Sequence, residues 1–397
     1  MRILIFVVYY LPSPISSAKL IHDLGSEFRQ MGHEVVITAP DENILSERQI
    51  TCEEGITVLR IKTGKIKTAS RSVRAFNEVR LSQTMWKKGS QFFKENPFDL
   101  IVYYSPTIFF GSLVGRLKKL FDCPSYLILR DIFPQWAVDA GILRSGGIVH
   151  TFFKWKERQN YDAANIIGVQ SPANLRYFSE LGMDKKYNLE VLYNWTTLAE
   201  YNTPNGKYRD QLGLKNKVVF FYGGNIGLAQ DMDNVVRLAE ALRNEPTAYF
   251  LLVGDGSEVT RLQEKIAAKA LTNVYIHPSV DQEEYLAMLS EFDVGLISLD
   301  RGLKTQNFPG KMLSYMYLAK PILASINPGN DLKDILEEYQ AGMVCINGED
   351  DLLADCARLL MENEDLRCQL GCNGRVLLEN MFSVSKAARQ ILSHFAN

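Results

Sequence analysis

The sequence predicts an α/β protein built of two doubly wound, Rossmann-like parallel-sheet domains facing a cleft, and three observations predict it. Short, wholly apolar runs alternate with amphipathic helical stretches, and strands separated by helices need crossover connections, which make parallel sheets. The alternation lapses into polar, turn-prone residues near Tyr193–Asn216 and then restarts with an equally apolar run, Val218–Tyr222. The chain has 397 residues, 46% hydrophobic and 23% charged, which is enough for two cores. The expected division is a first domain over 1–195, a linker over 196–215, a second domain over 216–382, and a final helix in 383–397 packing back on the first domain.

Ile3–Val8 is apolar without a break, as in a strand buried on both faces of a parallel sheet. A helix follows from about Ser17 to Met31, with Leu20, Ile21, Leu24 and Phe28 at helical spacing. It stops at Gly32, and Val35–Thr38 is the next strand. Then come a strand at Thr57–Ile61, a helix about Arg71–Lys94, a strand at Leu100–Tyr104 and a helix about Ile108–Leu120. Strands at Tyr126–Leu129, Ile166–Val169 and Glu190–Leu192 complete the first half.

The second half places four loops at strand C-termini, where open parallel sheets bind ligands. The first is Gly223-Gly224-Asn225-Ile226-Gly227. The second is Gly254-Asp255-Gly256, after Tyr249–Val253. The third is His277-Pro278, before a helix whose Asp281 and Glu284 are spaced as a capping box. The fourth runs from Asp300 through Gln306 and Asn307 to Phe308, after Val294–Leu299. It leads into Pro309-Gly310-Lys311, the start of a helix apolar on nearly every side (Met312, Leu313, Tyr315, Met316, Tyr317, Leu318), so a buried one. Lys311 is the only charge at that end, and a buried helix N-terminus with a glycine and a lysine suits a phosphate. A core helix with a snorkelling lysine fits the same residues. Closing helices are expected at about Asp351–Met361, Glu364–Glu379 and Val384–Phe395.

The net charge of −2 writes no general attraction to nucleic acid into the chain. Six cysteines form no CxxC pair and no ligand spacing with the five histidines, which favours reduced thiols and no zinc site. The apolar N-terminal run is too short to span a membrane and leads into an amphipathic helix, not a cleavage site. His22, mid-helix among apolar neighbours, and His33 read as packing residues, whereas His277 ends a strand on a ligand-binding edge. Asp231-Met232-Asp233 and Glu349-Asp350-Asp351 each open a helix, where acids serve as caps, so no metal is expected. Arg130-Asp131-Ile132-Phe133-Pro134 directly follows an apolar strand. Either an Arg130–Asp131 pair pins that loop, or Asp131 touches a substrate.

Taken together, the Gly223–Gly227 loop with Ala229-Gln230 after it, Gly254-Asp255-Gly256, and Phe308-Pro309-Gly310-Lys311 with Ser314-Tyr315-Met316 and Ala319-Lys320-Pro321 resemble retaining glycosyltransferases of family four. These are two-domain GT-B enzymes that use nucleotide sugars, and the likeness extends over nearly the whole chain. Gly-Asn-Ile-Gly, Arg-Asp-Ile-Phe-Pro and Ser-Tyr-Met look most like the bacterial O-antigen N-acetyl-L-fucosaminyl transferases of the WbuB type. Asn225 and Gln230 stand where most members carry an arginine and a lysine, and Gln306 and Ser314 where they carry two glutamates. Ser16-Ser17 lie near the usual double glycine.

The resemblance implies transfer of a sugar from a UDP-sugar to a lipid-linked saccharide with retention at the anomeric carbon. Lys311, with the N–H groups of Gly310 and Met312, would stabilise the departing diphosphate without a metal cofactor, and Asp131 would meet the acceptor. Two rivals are a nucleotide-sugar 2-epimerase of the same fold and a non-catalytic nucleotide-sugar binding protein.

Between Arg60 and Lys94 ten basic residues, Arg71 and Arg74 among them, face the single acid Glu78. With Val73, Phe76, Trp86, Phe92 and Phe93 they predict a face that meets an anionic membrane, placing the protein in a bacterial cytoplasm on the inner membrane. The same pattern also fits a solvated basic face whose apolar residues pack on the sheet.

Overall fold

Strand β1, Arg2–Phe6, is the centre of the first sheet, and its alternate residues explain why it is apolar throughout. Leu4 and Phe6 face one core with Met85, Phe93, Phe110 and Leu113, while Ile3 and Ile5 face another with Ile21, Leu24 and Phe28. The computed structural model describes residues 1–13, 15–64, 66, 76–105, 107–139, 141–198, 206–303 and 308–395. They fall into two units, residues 1–197 with 384–397, and residues 198–383.

Unit 1 carries an eight-stranded sheet of β1, β2 (Glu34–Asp41), β3 (Arg48–Glu53), β4 (Ile56–Lys62), β5 (Leu100–Tyr104), β6 (Ser125–Ile128), β7 (Ile166–Val169) and β8 (Leu189–Val191). Their order is β3-β4-β2-β1-β5-β6-β7-β8. All neighbours are parallel except β3, which pairs antiparallel with β4. The sheet is therefore mixed, and β3 is a strand the sequence did not announce. Its residues, Arg-Gln-Ile-Thr-Cys-Glu, are polar and largely open to solvent, as suits a sheet edge.

Helices Ser16–Gln30 and Val384–Ser393 cover one face of the sheet, and Leu81–Glu95 and Gly111–Phe121 the other. The helix expected from Arg71 begins its continuous part only at Leu81, and residues 71–75 lie outside the described ones. Ala387, Ala388 and Ile391 of the final helix pack beneath β1, and the Gln390 amide donates to the Val191 carbonyl at 2.8 Å.

Unit 2 is wholly parallel. Its strands β9 (Val218–Gly223), β10 (Ala248–Val253), β11 (Val274–His277), β12 (Val294–Ser298), β13 (Ile322–Ile326) and β14 (Gly342–Ile346) stand in the order β11-β10-β9-β12-β13-β14. The chain winds outward from β9 in one direction, then returns to β12 and winds in the other. The crevice at that reversal, beyond the C-termini of β9 and β12, is where such sheets take ligands.

Part of the stretch read as linker is ordered: Lys207–Gln211 is a helix whose Tyr208 and Arg209 N–H groups donate to Glu291 Oε2 at 2.8 and 2.9 Å. Arg209 also pairs with Asp293 at 2.6 Å.

Candidate functional site

The first two loops of unit 2 are stitched together through their backbones. Gly224 N donates to Val253 O at 2.9 Å, Ile226 N to Asp255 O at 2.8 Å, and Glu258 N to Ile226 O at 3.1 Å. Gly254 N in turn donates to His277 O at 3.1 Å, which joins the third loop. The glycines follow from this proximity. A β-carbon on Gly254 would land inside the Gly224 carbonyl oxygen, and one on Gly256 inside that of Ile226. Gly224 itself has φ of +126° and is exposed, so its backbone is open to a ligand. Gly223 lies beneath the Tyr285 ring, where any side chain would collide.

Lys311 opens the helix Lys311–Tyr317, after the fourth loop. Its ammonium lies 3.4 Å from the centre of the Tyr222 ring and would sit 3.7 Å from a β-carbon on Gly224. The residue is half-buried, and desolvation holds its pKa well below the usual lysine value. Among the described residues no carboxylate pairs with it. A cation facing an aromatic ring beside an exposed glycine backbone is a place where an anion is favoured.

Tyr222, Tyr285 and Tyr315 line this region as neutral phenols, each with its pKa raised chiefly by burial. The Tyr222 hydroxyl donates to Asn225 O at 2.6 Å, and the Tyr315 hydroxyl to Leu296 O at 3.0 Å. Sequence reasoning missed Tyr222 and Tyr285 and placed Tyr315 only in the motif of the buried helix. Tyr222 was visible only as the last side chain of an apolar strand.

Other expected donor contacts have partners of their own. Asn225 Nδ2 donates to Gln230 Oε1 at 2.9 Å, and Gly227 N reaches the same oxygen at 3.2 Å, so these side chains brace the loop. Ile226 is fully buried. Asp255 is exposed and accepts from Gly256 N at 2.8 Å. The His277 ring turns back to the Pro278 carbonyl at 2.8 Å.

Phe308 is buried against Phe382, Pro309 accepts from Met312 N at 3.1 Å, and Gly310 is exposed. The Met312 N–H expected to face a phosphate is therefore spent inside its own turn. Ser314 is half-buried on the same helix, and Gln306 and Asn307 lie outside the described residues.

The acidic clusters act as braces. Asp233 pairs with Arg261 and Lys265, and Asp350 with Arg237. Asp231 Oδ2 accepts from Asn347 Nδ2 at 2.9 Å, and that amide also donates to Leu299 O at 2.8 Å. Asn347, another residue the sequence did not single out, thus ties the loop after β14 to those after β9 and β12. Among the described residues no group of three His, Cys, Asp or Glu side chains comes together.

In unit 1, Arg130 and Asp131 follow β6. Arg130 is 6% exposed, donates to the carbonyls of Leu129 and Tyr193 at 3.2 and 3.3 Å, and lies 5.5 Å over the Trp195 ring. No ion pair joins it to Asp131, so the bracing pair envisaged from sequence does not form. Burial raises the Asp131 pKa, and the nearby Arg130 charge opposes that rise.

Ser16 and Ser17 begin the helix Ser16–Gln30, Ser17 buried and Ser16 exposed. On that helix His22 is held between the Tyr10 hydroxyl at 2.8 Å and Glu54 at 3.0 Å, and is a packing residue with both ring nitrogens engaged.

This sheet order and these loops define a GT-B glycosyltransferase architecture, and residues 205–377 match the family model described as Glycosyl transferases group 1. The chain is 25% identical over 375 residues to WcaI of Escherichia coli K12, whose name assigns it to colanic acid biosynthesis as a glycosyl transferase; the match covers 88% of this chain and 89% of that one. Among solved structures, a sucrose-phosphate synthase from Thermosynechococcus elongatus superposes with a TM-score of 0.73 at 16% identity, covering 99% and 98% of the two chains. HepE of Anabaena in complex with UDP gives 0.68 at 17% identity, covering 99% of each.

Proposed function

We propose that the protein is a retaining, metal-independent glycosyltransferase that moves a sugar from a UDP-sugar to a polyprenyl-diphosphate-linked saccharide, in synthesis of O-antigen or another surface polysaccharide. N-acetyl-L-fucosamine is the sugar the WbuB-type resemblance suggests. The observation that carries the reading is Lys311, a desolvated cation at the sheet's reversal point with no carboxylate partner among the described residues. The UDP complex of HepE and the biosynthetic name of WcaI support it.

In this reading the ammonium of Lys311 meets the diphosphate and holds the negative charge that grows on it as the sugar leaves. A charge-assisted hydrogen bond of that kind contributes about 1.5–3 kcal/mol. The Gly223–Gly227 loop offers exposed backbone at Gly224, where the donor can approach without a side chain between. Asp131 contacts the acceptor hydroxyl and draws its proton as the new bond forms. The membrane holding the acceptor would be the bacterial inner membrane, with the enzyme on its cytoplasmic face.

The test is purified protein incubated with labelled UDP-sugars and lipid-linked acceptor, with and without EDTA. Label carried to the lipid in both conditions supports the reading. A rearranged free nucleotide sugar would establish the epimerase instead, and binding without turnover the non-catalytic module.

A further inference from the structure

The basic segment expected to meet a membrane has few apolar side chains to offer. Phe92 and Phe93 are buried in the core, and Trp86 packs against it beneath Arg116. Arg60 is paired with Asp41 and Glu53, and Lys62 and Lys88 are bonded to the backbone. Lys65, Lys67, Arg71, Val73 and Arg74 lie outside the described residues.

Phe76 is exposed in that segment, under the Arg80 guanidinium, and the denser exposed apolar surface of unit 1 is elsewhere. Of the 18 large hydrophobic residues exposed among the described ones, five fall between residues 136 and 155: Trp136, Ile142, Ile148, Val149 and Trp155. Ile148 is 91% exposed and Trp155 50%.

The geometry points to a lipid-docking surface here, on the outward face of the helix Ile148–Asp162 and the short helix Gln135–Asp139, that seats in the interface of an anionic bilayer. It rests on the proposed lipid-linked acceptor and assigns the membrane contact to residues other than Arg60–Lys94.

Ile148, Phe152 and Trp155 are four and three residues apart and share one helix face, while Glu157, Asn160 and Tyr161 of the same helix are buried. Gly146, Thr151 and these three line an open depression. Behind it the rings are held edge to face or tilted. Phe152 lies 6.0 Å from Trp155 and 5.7 Å from Phe153, which lies 4.9 Å from Phe133, itself 5.9 Å from Trp136. The two tryptophans therefore stand on an aromatic support fixed to the core through Phe109. Exposed tryptophans on a fixed support suit the headgroup level of a bilayer, where the indole has both apolar and polar surroundings.

Charge decides the occupant. From Gln135 to Arg158 the basic residues are Arg144, Lys154, Lys156 and Arg158; of the two acids, Asp139 is exposed and accepts from the Gln135 amide at 2.9 Å, and Glu157 is buried and paired with Lys154. The Lys156 ammonium stands 4.3 Å over the Trp155 ring. Apolar side chains rimmed by cations complement anionic headgroups over acyl chains. A second copy across a two-fold axis would set this rim against itself, which like charges oppose.

The test is flotation of the full chain with vesicles of phosphatidylglycerol and phosphatidylcholine, against vesicles of phosphatidylcholine alone. Wild type floats with the anionic vesicles and is released by salt, and Ile148→Glu with Trp155→Glu lowers binding roughly tenfold or more while UDP affinity holds. In parallel, brominated lipid quenches wild-type tryptophan emission more than that of Trp155→Phe, a variant that keeps an aromatic ring in place.

Equal flotation of wild type and the double variant, or equal quenching, overturns this surface while leaving membrane attachment standing. Wild type that floats with neither vesicle overturns bilayer docking altogether, whereas the transferase reading is judged separately by label transfer. A wild-type dimer in sedimentation velocity that the double variant dissolves makes the face a self-association surface and likewise overturns the proposal.

Discussion

The Lys311 ammonium lies 3.4 Å from the centre of the Tyr222 ring, so the end of β9 and the start of the helix after β12 meet through a cation and a π face. The contact holds the ammonium beside the Gly224 backbone while giving it no negative partner. An anion entering there meets a cation that is already desolvated and placed. Replacing Lys311 by Met, which keeps the packing, is expected to weaken UDP binding by about 1.5–3 kcal/mol, the scale of one charge-assisted hydrogen bond. Isothermal calorimetry checks this, and unchanged affinity would remove Lys311 from the nucleotide site.

A second expectation follows from the lowered Lys311 pKa, which desolvation causes. In the free protein the ammonium loses its proton at lower pH than an ordinary lysine, and a bound diphosphate raises that pKa again. Between the two values UDP binding takes up as much as about one proton, and affinity falls as pH rises through the lower one. Stability runs the opposite way: in the window between the lowered pKa and the ordinary value the unfolded chain binds more protons than the folded one, so this residue's contribution grows more favourable as pH rises. Calorimetry in buffers of different ionisation enthalpy should show the uptake in wild type and lose it in Lys311→Met. The same heat in every buffer would contradict it.

Asp131→Asn is expected to lower turnover roughly 10²–10⁴-fold, the range for a positioned acid or base, while UDP affinity stays within about twofold. Burial has raised the Asp131 pKa, so its ionised form is disfavoured in the folded state, and no ion pair with Arg130 is lost. The variant should therefore melt no lower than wild type at pH 7. Parallel losses of turnover and UDP affinity, or a large drop in melting temperature, would give Asp131 a structural role instead.

Gly254→Ala tests the stitching of the two glycine loops. The new methyl group must displace the Gly224 carbonyl, and overpacking of this kind costs about 1–3 kcal/mol. Urea unfolding should show that loss together with weaker UDP binding. Full stability with full affinity would mean the loops yield independently.

The order of strands and helices was legible because each central strand is covered on both faces and so carries a continuous apolar run, as Val218–Tyr222 does. β3 was not, since an edge strand open to water has no apolar run to show. Among candidate site residues, Lys311 stood out as a lone charge at the start of an apolar helix, and its isolation from carboxylates among the described residues is a fact of three dimensions. Tyr222 and Asn347 were invisible for the opposite reason. One looks like any strand residue and the other like any turn asparagine, and only the fold brings them to Lys311 and Asp231. For the basic, aromatic stretch before Lys94, composition cannot say which side of a helix covers the sheet. Phe92 and Phe93 are on the covered side, while Trp155 is turned outward.

The last helix, Val384–Ser393, gives the chain an order of assembly. Unit 1 draws its residues from both ends of the sequence, and unit 2 is one uninterrupted segment inserted between them. During synthesis residues 198–383 leave the ribosome with all their own strands, whereas the core around Ile3 and Ile5 waits for Ala387, Ala388 and Ile391. The half of the protein made first is thus the half completed last. A premature stop anywhere after residue 383 but before Ile391 would leave an intact unit 2 joined to a unit 1 with an uncovered apolar face, a species prone to aggregation.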